Sequence, residues 1–148
     1  MMYKSTRNSA LRVTAAQAIA QGISEEGGLF VPESFPPVQL GEMLELDYVG
    51  RAEYVLSRFL TDFTGEEIAA CASRAYSPEK FENDTPAKVV SLDAHGENKH
   101  VLELWHGPTC AFKDMALQLL PHLLTKSMEK TADGKTAVIL VATSGDTG

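Results

Sequence analysis

The run Ala137-Val138-Ile139-Leu140-Val141-Ala142 constrains this chain more than any other segment. Its consecutive apolar side chains, rich in β-branched residues, leave no polar face for water. The run therefore reads as a parallel strand covered on both faces, and the fold class as α/β. Thr143-Ser144-Gly145-Asp146-Thr147-Gly148 follows it directly. Small hydroxyl residues and glycines at the carboxyl end of such a strand aim several N–H groups and hydroxyls at one point, an arrangement that binds anions. An ordinary strand-to-helix turn with Ser144 or Asp146 as N-cap would use the same residues.

A second constellation, His106-Gly107-Pro108-Thr109-Cys110-Ala111-Phe112-Lys113-Asp114, sets one lysine between a rigid turn and an apolar helix. Ala116, Leu117, Leu119, Leu120, Leu123 and Leu124 recur at helical spacing, which puts Lys113 in or near a first turn. The macrodipole's positive end and partial burial both disfavour an ammonium there, lowering its pKa from the ordinary ~10.4 and freeing a lone pair for Schiff-base chemistry. Most lysines early in a helix are simply solvated. Here Gly107 and Pro108 fix a turn, Thr109 can cap the helix with its hydroxyl, and Phe112 is unusual on a solvated first turn. His106 can orient a phosphate or cofactor, or act as a local hydrogen-bonding residue of the turn. Trp105 reads as packing, and Arg7 as a phosphate contact or an ion pair. Pro121 predicts a kink or break in the apolar helix.

Elsewhere the pattern is mostly helical before residue 84. Thr14 with Gln17, and Thr64 with Glu67, form capping boxes. Ala52, Val55, Leu56, Phe59 and Leu60 mark one apolar face, and Ile68, Cys71, Ala72, Ala75 and Tyr76 another. Short strands are expected at residues 3–6 and 29–31. After a boundary near residues 82–86, residues 88–92 and 100–105 read as strands around a polar turn at 95–98.

The stretch from Leu102 to Asp114, followed by Thr143-Ser144-Gly145-Asp146-Thr147-Gly148, resembles the threonine synthase family. Tyr3-Lys4-Ser5-Thr6-Arg7 and Glu26-Gly27-Gly28-Leu29-Phe30-Val31-Pro32 resemble its amino-terminal signatures, so the likeness spans essentially the whole chain. These are pyridoxal-phosphate enzymes related to the tryptophan synthase β subunit, converting O-phosphohomoserine and water into threonine and phosphate.

The resemblance implies a small, mostly helical α+β amino-terminal region (residues 1–84), followed by the start of a three-layer αβα cofactor-binding domain (residues 85–148). It implies that Lys113 carries the cofactor covalently and shuttles protons, and that Thr143, Ser144, Gly145 and Thr147 grip the substrate carboxylate. It also places Asp146 where related cysteine synthases and dehydratases usually carry an asparagine facing the cofactor's phenolic oxygen. Aspartate there resembles the threonine synthase pattern, although an ionised carboxylate would repel a phenolate. Glu26 departs from the aspartate commoner before the paired glycines.

A net charge of −7 argues against a general nucleic-acid or anionic-membrane surface, while a local basic pocket for a phosphorylated amino acid stays compatible with it. Cys71 and Cys110 form no metal-ligand spacing, and two cysteines without a secretory leader suggest a reducing cytoplasm. Cys71 reads as core. Gly148 stops inside the anion-binding turn, so the chain reads as the amino-terminal piece of a larger enzyme, inactive alone and prone to self-association through its uncovered sheet. The alternatives are another pyridoxal-phosphate lyase or dehydratase of this fold, and a non-catalytic α/β module binding a phosphorylated ligand or a partner protein.

Overall fold

The computed structural model describes residues 1–82, 85–93, 98–131, 134–145 and 147. Strand β1 (Tyr3–Ser5) pairs antiparallel with β2 (Phe30–Pro32), Lys4 lying opposite Val31. Between them, α1 (Ala15–Gln21) starts where the Thr14 hydroxyl accepts from the Gln17 N–H and the Gln17 side chain accepts from the Thr14 N–H. It stops at Gly22, whose φ of 75° suits a residue without Cβ.

Helices α2 (Leu40–Leu44), α3 (Tyr48–Phe59) and α4 (Gly65–Ala75) follow. Asp47 caps α3 by accepting from the Gly50 N–H at 2.7 Å, and the Thr64–Glu67 capping box opens α4. Each such cap stabilises its helix by about 1 kcal/mol. Helix α2 lacks both a side-chain cap and any buried residue, which is why no periodic stripe announces it.

Strands β3 (Lys88–Ser91) and β4 (His100–Glu103) form a second antiparallel pair. The expected polar turn between them lies largely outside the described residues. Helix α5 (Asp114–Leu117) is a single turn, and α6 (Leu120–Thr131) takes up the chain again. Pro121 sits in the first turn of α6, where its missing N–H costs no helical hydrogen bond, so the expected interruption takes the form of a break rather than a kink.

The core joins both halves of the sequence. Ala15 and Ala16 of α1, Leu60, Phe63, Ile68 and Cys71 cluster with Leu123 of α6. Small side chains on α1 let α6 approach closely, and Ser127 is fully buried on α6. Lys130 of α6 reaches Glu67 of α4 at 2.8 Å.

The apolar run 137–142 departs from its expected form. It belongs to neither sheet, and Leu140 is 92% exposed. A parallel strand needs a neighbouring strand for its N–H and C=O groups and a helical layer for each face. Among the described residues both sheets are two-stranded and antiparallel, and neither reaches the run. Among the described residues, no helix is long and apolar enough to cross a membrane.

Candidate functional site

The turn that carries Lys113 is closed by its own residues. The Cys110 N–H donates to the Gly107 carbonyl at 3.1 Å, and the Asp114 N–H to the Ala111 carbonyl at 3.0 Å. Cys110 takes a left-handed φ of 56°, a conformation that costs a non-glycine residue energy and persists where neighbouring bonds hold it. Thr109 does not cap the helix as its position suggests. Lys113 is the N-cap of α5 and makes no capping bond with its side chain. The Thr109 N–H and hydroxyl both donate to the Asp114 Oδ2, at 2.9 and 3.0 Å. Thr109 lies too far ahead of α5 to reach its free amides, so the carboxylate reaches back instead.

Lys113 is half-buried, and its Nζ donates to the Thr147 hydroxyl at 2.6 Å. This one bond brings the two separate constellations of the sequence together across thirty-four residues. The Phe112 ring is exposed, with its centroid 6.0 Å from the same Nζ. In the following turn, Thr143, Ser144 and Gly145 are exposed, and the Gly145 N–H points to the Thr143 hydroxyl at 3.4 Å. Gly145 has a φ of 136°, which a side chain would rarely tolerate. Asp146 lies outside the described residues. The arrangement presents an amine next to hydroxyl and amide donors, a set suited to an aldehyde and an anion held side by side.

His106 lies apart from this pair. Its Nε2 meets Glu103 at 2.7 Å, its Nδ1 meets Glu82 at 3.5 Å, and its carbonyl accepts from the Glu82 N–H. Both ring nitrogens thus face carboxylates, which favours the local hydrogen-bonding role over a phosphate contact. Trp105 is half-exposed against the imidazole, less buried than a packing role predicts. Cys71 is buried in the core, where desolvation pushes its thiol up, and Cys110 is exposed.

Asp114 is the residue that sequence reasoning passed over. An acid in a helix's first turn ordinarily serves the macrodipole from the surface, but this one is fully buried. The glycine ahead of it carried the available signal: a Cβ on Gly107 would lie 2.6 Å from both the Cβ and Oδ2 of Asp114.

The two amino-terminal signatures interlock. The buried Ser5 and Ser24 hydroxyls meet at 2.9 Å, Ser24 also donates to the Gly28 carbonyl at 2.8 Å, and the Arg7 N–H donates to the Ser5 hydroxyl. A Cβ on Gly28 would collide with the Ser5 hydroxyl. The Arg7 guanidinium donates to the Glu26 carbonyl at 3.0 Å.

A family profile described as threonine synthase N terminus matches residues 2–76. The chain is 39% identical over 140 residues to threonine synthase of Escherichia coli, covering 93% of this chain and 30% of that protein. It is 37% identical over 139 residues to the human protein threonine synthase-like 1, covering 90% of this chain and 18% of that one. The structure of yeast threonine synthase aligns with a TM-score of 0.80 at 30% identity, over 88% of this chain and 27% of that one. The pyridoxal-phosphate-bound threonine synthase of Brucella melitensis aligns with a TM-score of 0.76 at 33% identity, over 88% and 28%. The chain thus spans between about a fifth and a third of the length of these relatives.

Proposed function

Since the chain belongs to the threonine synthase family, we propose that it furnishes the amino-terminal part of a pyridoxal-phosphate-dependent enzyme that converts O-phosphohomoserine and water into threonine and phosphate. The observation that carries this reading is the contact between Lys113 Nζ and the Thr147 hydroxyl. The proposed division is an amino-terminal region over residues 1–84 and the start of the cofactor-binding domain over 85–148.

The residues present fit the cofactor. A half-buried amine stands beside a turn of small residues with exposed hydroxyls and amides. Pyridoxal phosphate, when bound, supplies the electron sink that makes a carbon-bound proton acidic. Lys113 would hold it through its amine and, once the substrate's own amino group has displaced it, the freed Nζ would take and return protons at successive substrate carbons. Thr143, Ser144, Gly145 and Thr147 bind and orient the substrate carboxylate with charge-assisted hydrogen bonds. Asp146 is the proposed neighbour of the cofactor's phenolic oxygen. The turn at 107–112 limits the paths open to the Lys113 side chain.

A chimera in which residues 1–148 replace the matching part of the Escherichia coli enzyme tests the reading. It is expected to release phosphate and threonine from O-phosphohomoserine, and to carry a borohydride-fixed pyridoxyl label on Lys113. A folded chimera that is labelled but releases only a keto acid would make the chain part of a dehydratase. One that binds phosphate with no label on Lys113 would support a non-catalytic module.

A further inference from the structure

We propose that Asp114 is the positioning residue for Lys113, its buried carboxylate latching the 107–113 turn through Thr109 and Gly107 so that the lysine amine is held against Thr147. The inference rests on reading Lys113 as the working amine, and its structural content can be scored separately.

Three observations converge on Asp114. Its side chain is fully buried, yet Oδ1 has no hydrogen-bond partner among the described residues, so the carboxylate is oriented by Oδ2 alone. Oδ2 accepts two bonds from one residue, the amide and the hydroxyl of Thr109, which closes a loop from 109 to 114. Gly107 packs directly on the same carboxylate, where any side chain would stand 2.6 Å from its atoms. The closed loop contains Cys110 in its left-handed conformation, which free chain would relax. Lys113 is the residue immediately before the latch, and its carbonyl already accepts from the Ala116 and Leu117 amides. Its backbone is therefore fixed from both sides, leaving only side-chain torsions to bring Nζ to Thr147. A buried carboxyl whose hydrogen bonds all run to one residue ties its own position to that residue, because moving away would leave a buried polar group unpaired.

The test compares the chimera carrying residues 1–148 with its Asp114→Asn, Asp114→Ala and Thr109→Val variants. Two site-resolved readouts are used: amide hydrogen exchange at Thr109 and in α1, and the rate of reductive methylation of each lysine by formaldehyde. Removing a charge-assisted hydrogen bond is expected to speed exchange at Thr109 by about tenfold or more in Asp114→Ala. Lys113 methylation is expected to change severalfold with it, while α1 exchange and the other lysines stay at their wild-type rates. Asp114→Asn keeps one oxygen for the Thr109 amide and is expected to fall between wild type and Asp114→Ala. Thr109→Val loses only the hydroxyl donor and should shift Lys113 in the same sense.

Faster exchange at Thr109 with unchanged Lys113 reactivity would overturn the proposal, since the carboxylate would then hold the turn and not the amine. If Asp114→Ala fails to fold, Asp114→Asn and Thr109→Val decide by the same criterion. Labelling the wild-type chimera with pyridoxal phosphate and borohydride scores the functional reading apart from this one. A label spread evenly over the lysines counts against the cofactor assignment, whereas the methylation rates still decide the latch.

Discussion

The interlocked amino-terminal signatures and the turn at 143–147 are made of the same residue types, serines, threonines and glycines, yet they behave oppositely. Around Ser5, Ser24 and Gly28 every hydroxyl is turned inward and bonded within the chain. Thr143, Ser144 and Gly145 are exposed, with the long Gly145 N–H to Thr143 hydroxyl contact inside the turn, and the link from the turn to the lysine is Thr147 to Lys113. Satisfied polar groups hold a structure together; unsatisfied ones beside an amine are available to a ligand. Composition alone does not separate a lock from a binding turn, and the direction of the hydrogen bonds does.

The comparison breaks first at Lys113. In the chimera, Lys113→Ala is expected to lower turnover by at least the 10²- to 10⁴-fold typical of lost proton transfer, with the unfolding midpoint unchanged. Turnover near wild type would move the chemistry to another residue.

Next come the outward hydroxyls. Ser144→Ala and Thr147→Val are each expected to weaken binding of a carboxylate-bearing substrate analogue by about ten- to a hundredfold, and cofactor binding less. Equilibrium titration of the chimera with cofactor and then analogue checks the ranking, and the opposite order would assign the turn to the cofactor phosphate.

Gly28→Ala probes the inward set. Overpacking against Ser5 is expected to cost about 1–3 kcal/mol in urea unfolding while leaving the Lys113 label in place. Loss of the label without loss of stability would make the lock part of the site.

The smallest effect is expected at Glu67. Lys130 beside it, helped by the Thr64 N–H, holds its carboxyl below the usual carboxylate range. A depressed carboxyl stabilises the fold above its ordinary value of 4.5, and that contribution disappears as pH falls through the folded-state value. The stability gap between wild type and Glu67→Gln, about 1 kcal/mol for a pair at the edge of the surface, should be open at neutral pH and shut in acid. A gap that persists in acid would trace to packing.

Local features were the most legible in the sequence. The boxes at Thr14–Gln17 and Thr64–Glu67 are visible because both partners lie within one turn. The stripe Ile68, Cys71, Ala72 and Ala75 is buried as its spacing predicts. The lysine turn was legible as a candidate, but its meeting with Thr147 depends on tertiary structure. Asp114 escaped notice because an acid at a helix start has a common surface explanation. The run 137–142 shows the limit in the other direction, since six apolar residues describe the environment a strand requires, while the strands that would provide it are not among the described residues.

Helix α6 has a consequence for the order of folding. Leu123 completes a cluster whose other members lie between residues 15 and 71, so the early part of the chain cannot close its interior until the late helix has been made. A contact of such long sequence separation makes folding slow and leaves Ala15, Ala16 and Ile68 open to other hydrophobic surfaces meanwhile. The lysine turn leads through the single turn of α5 into the helix that completes this interior. A chain that has seated α6 has therefore brought the segment after Lys113 into register with the oldest part of its own sequence.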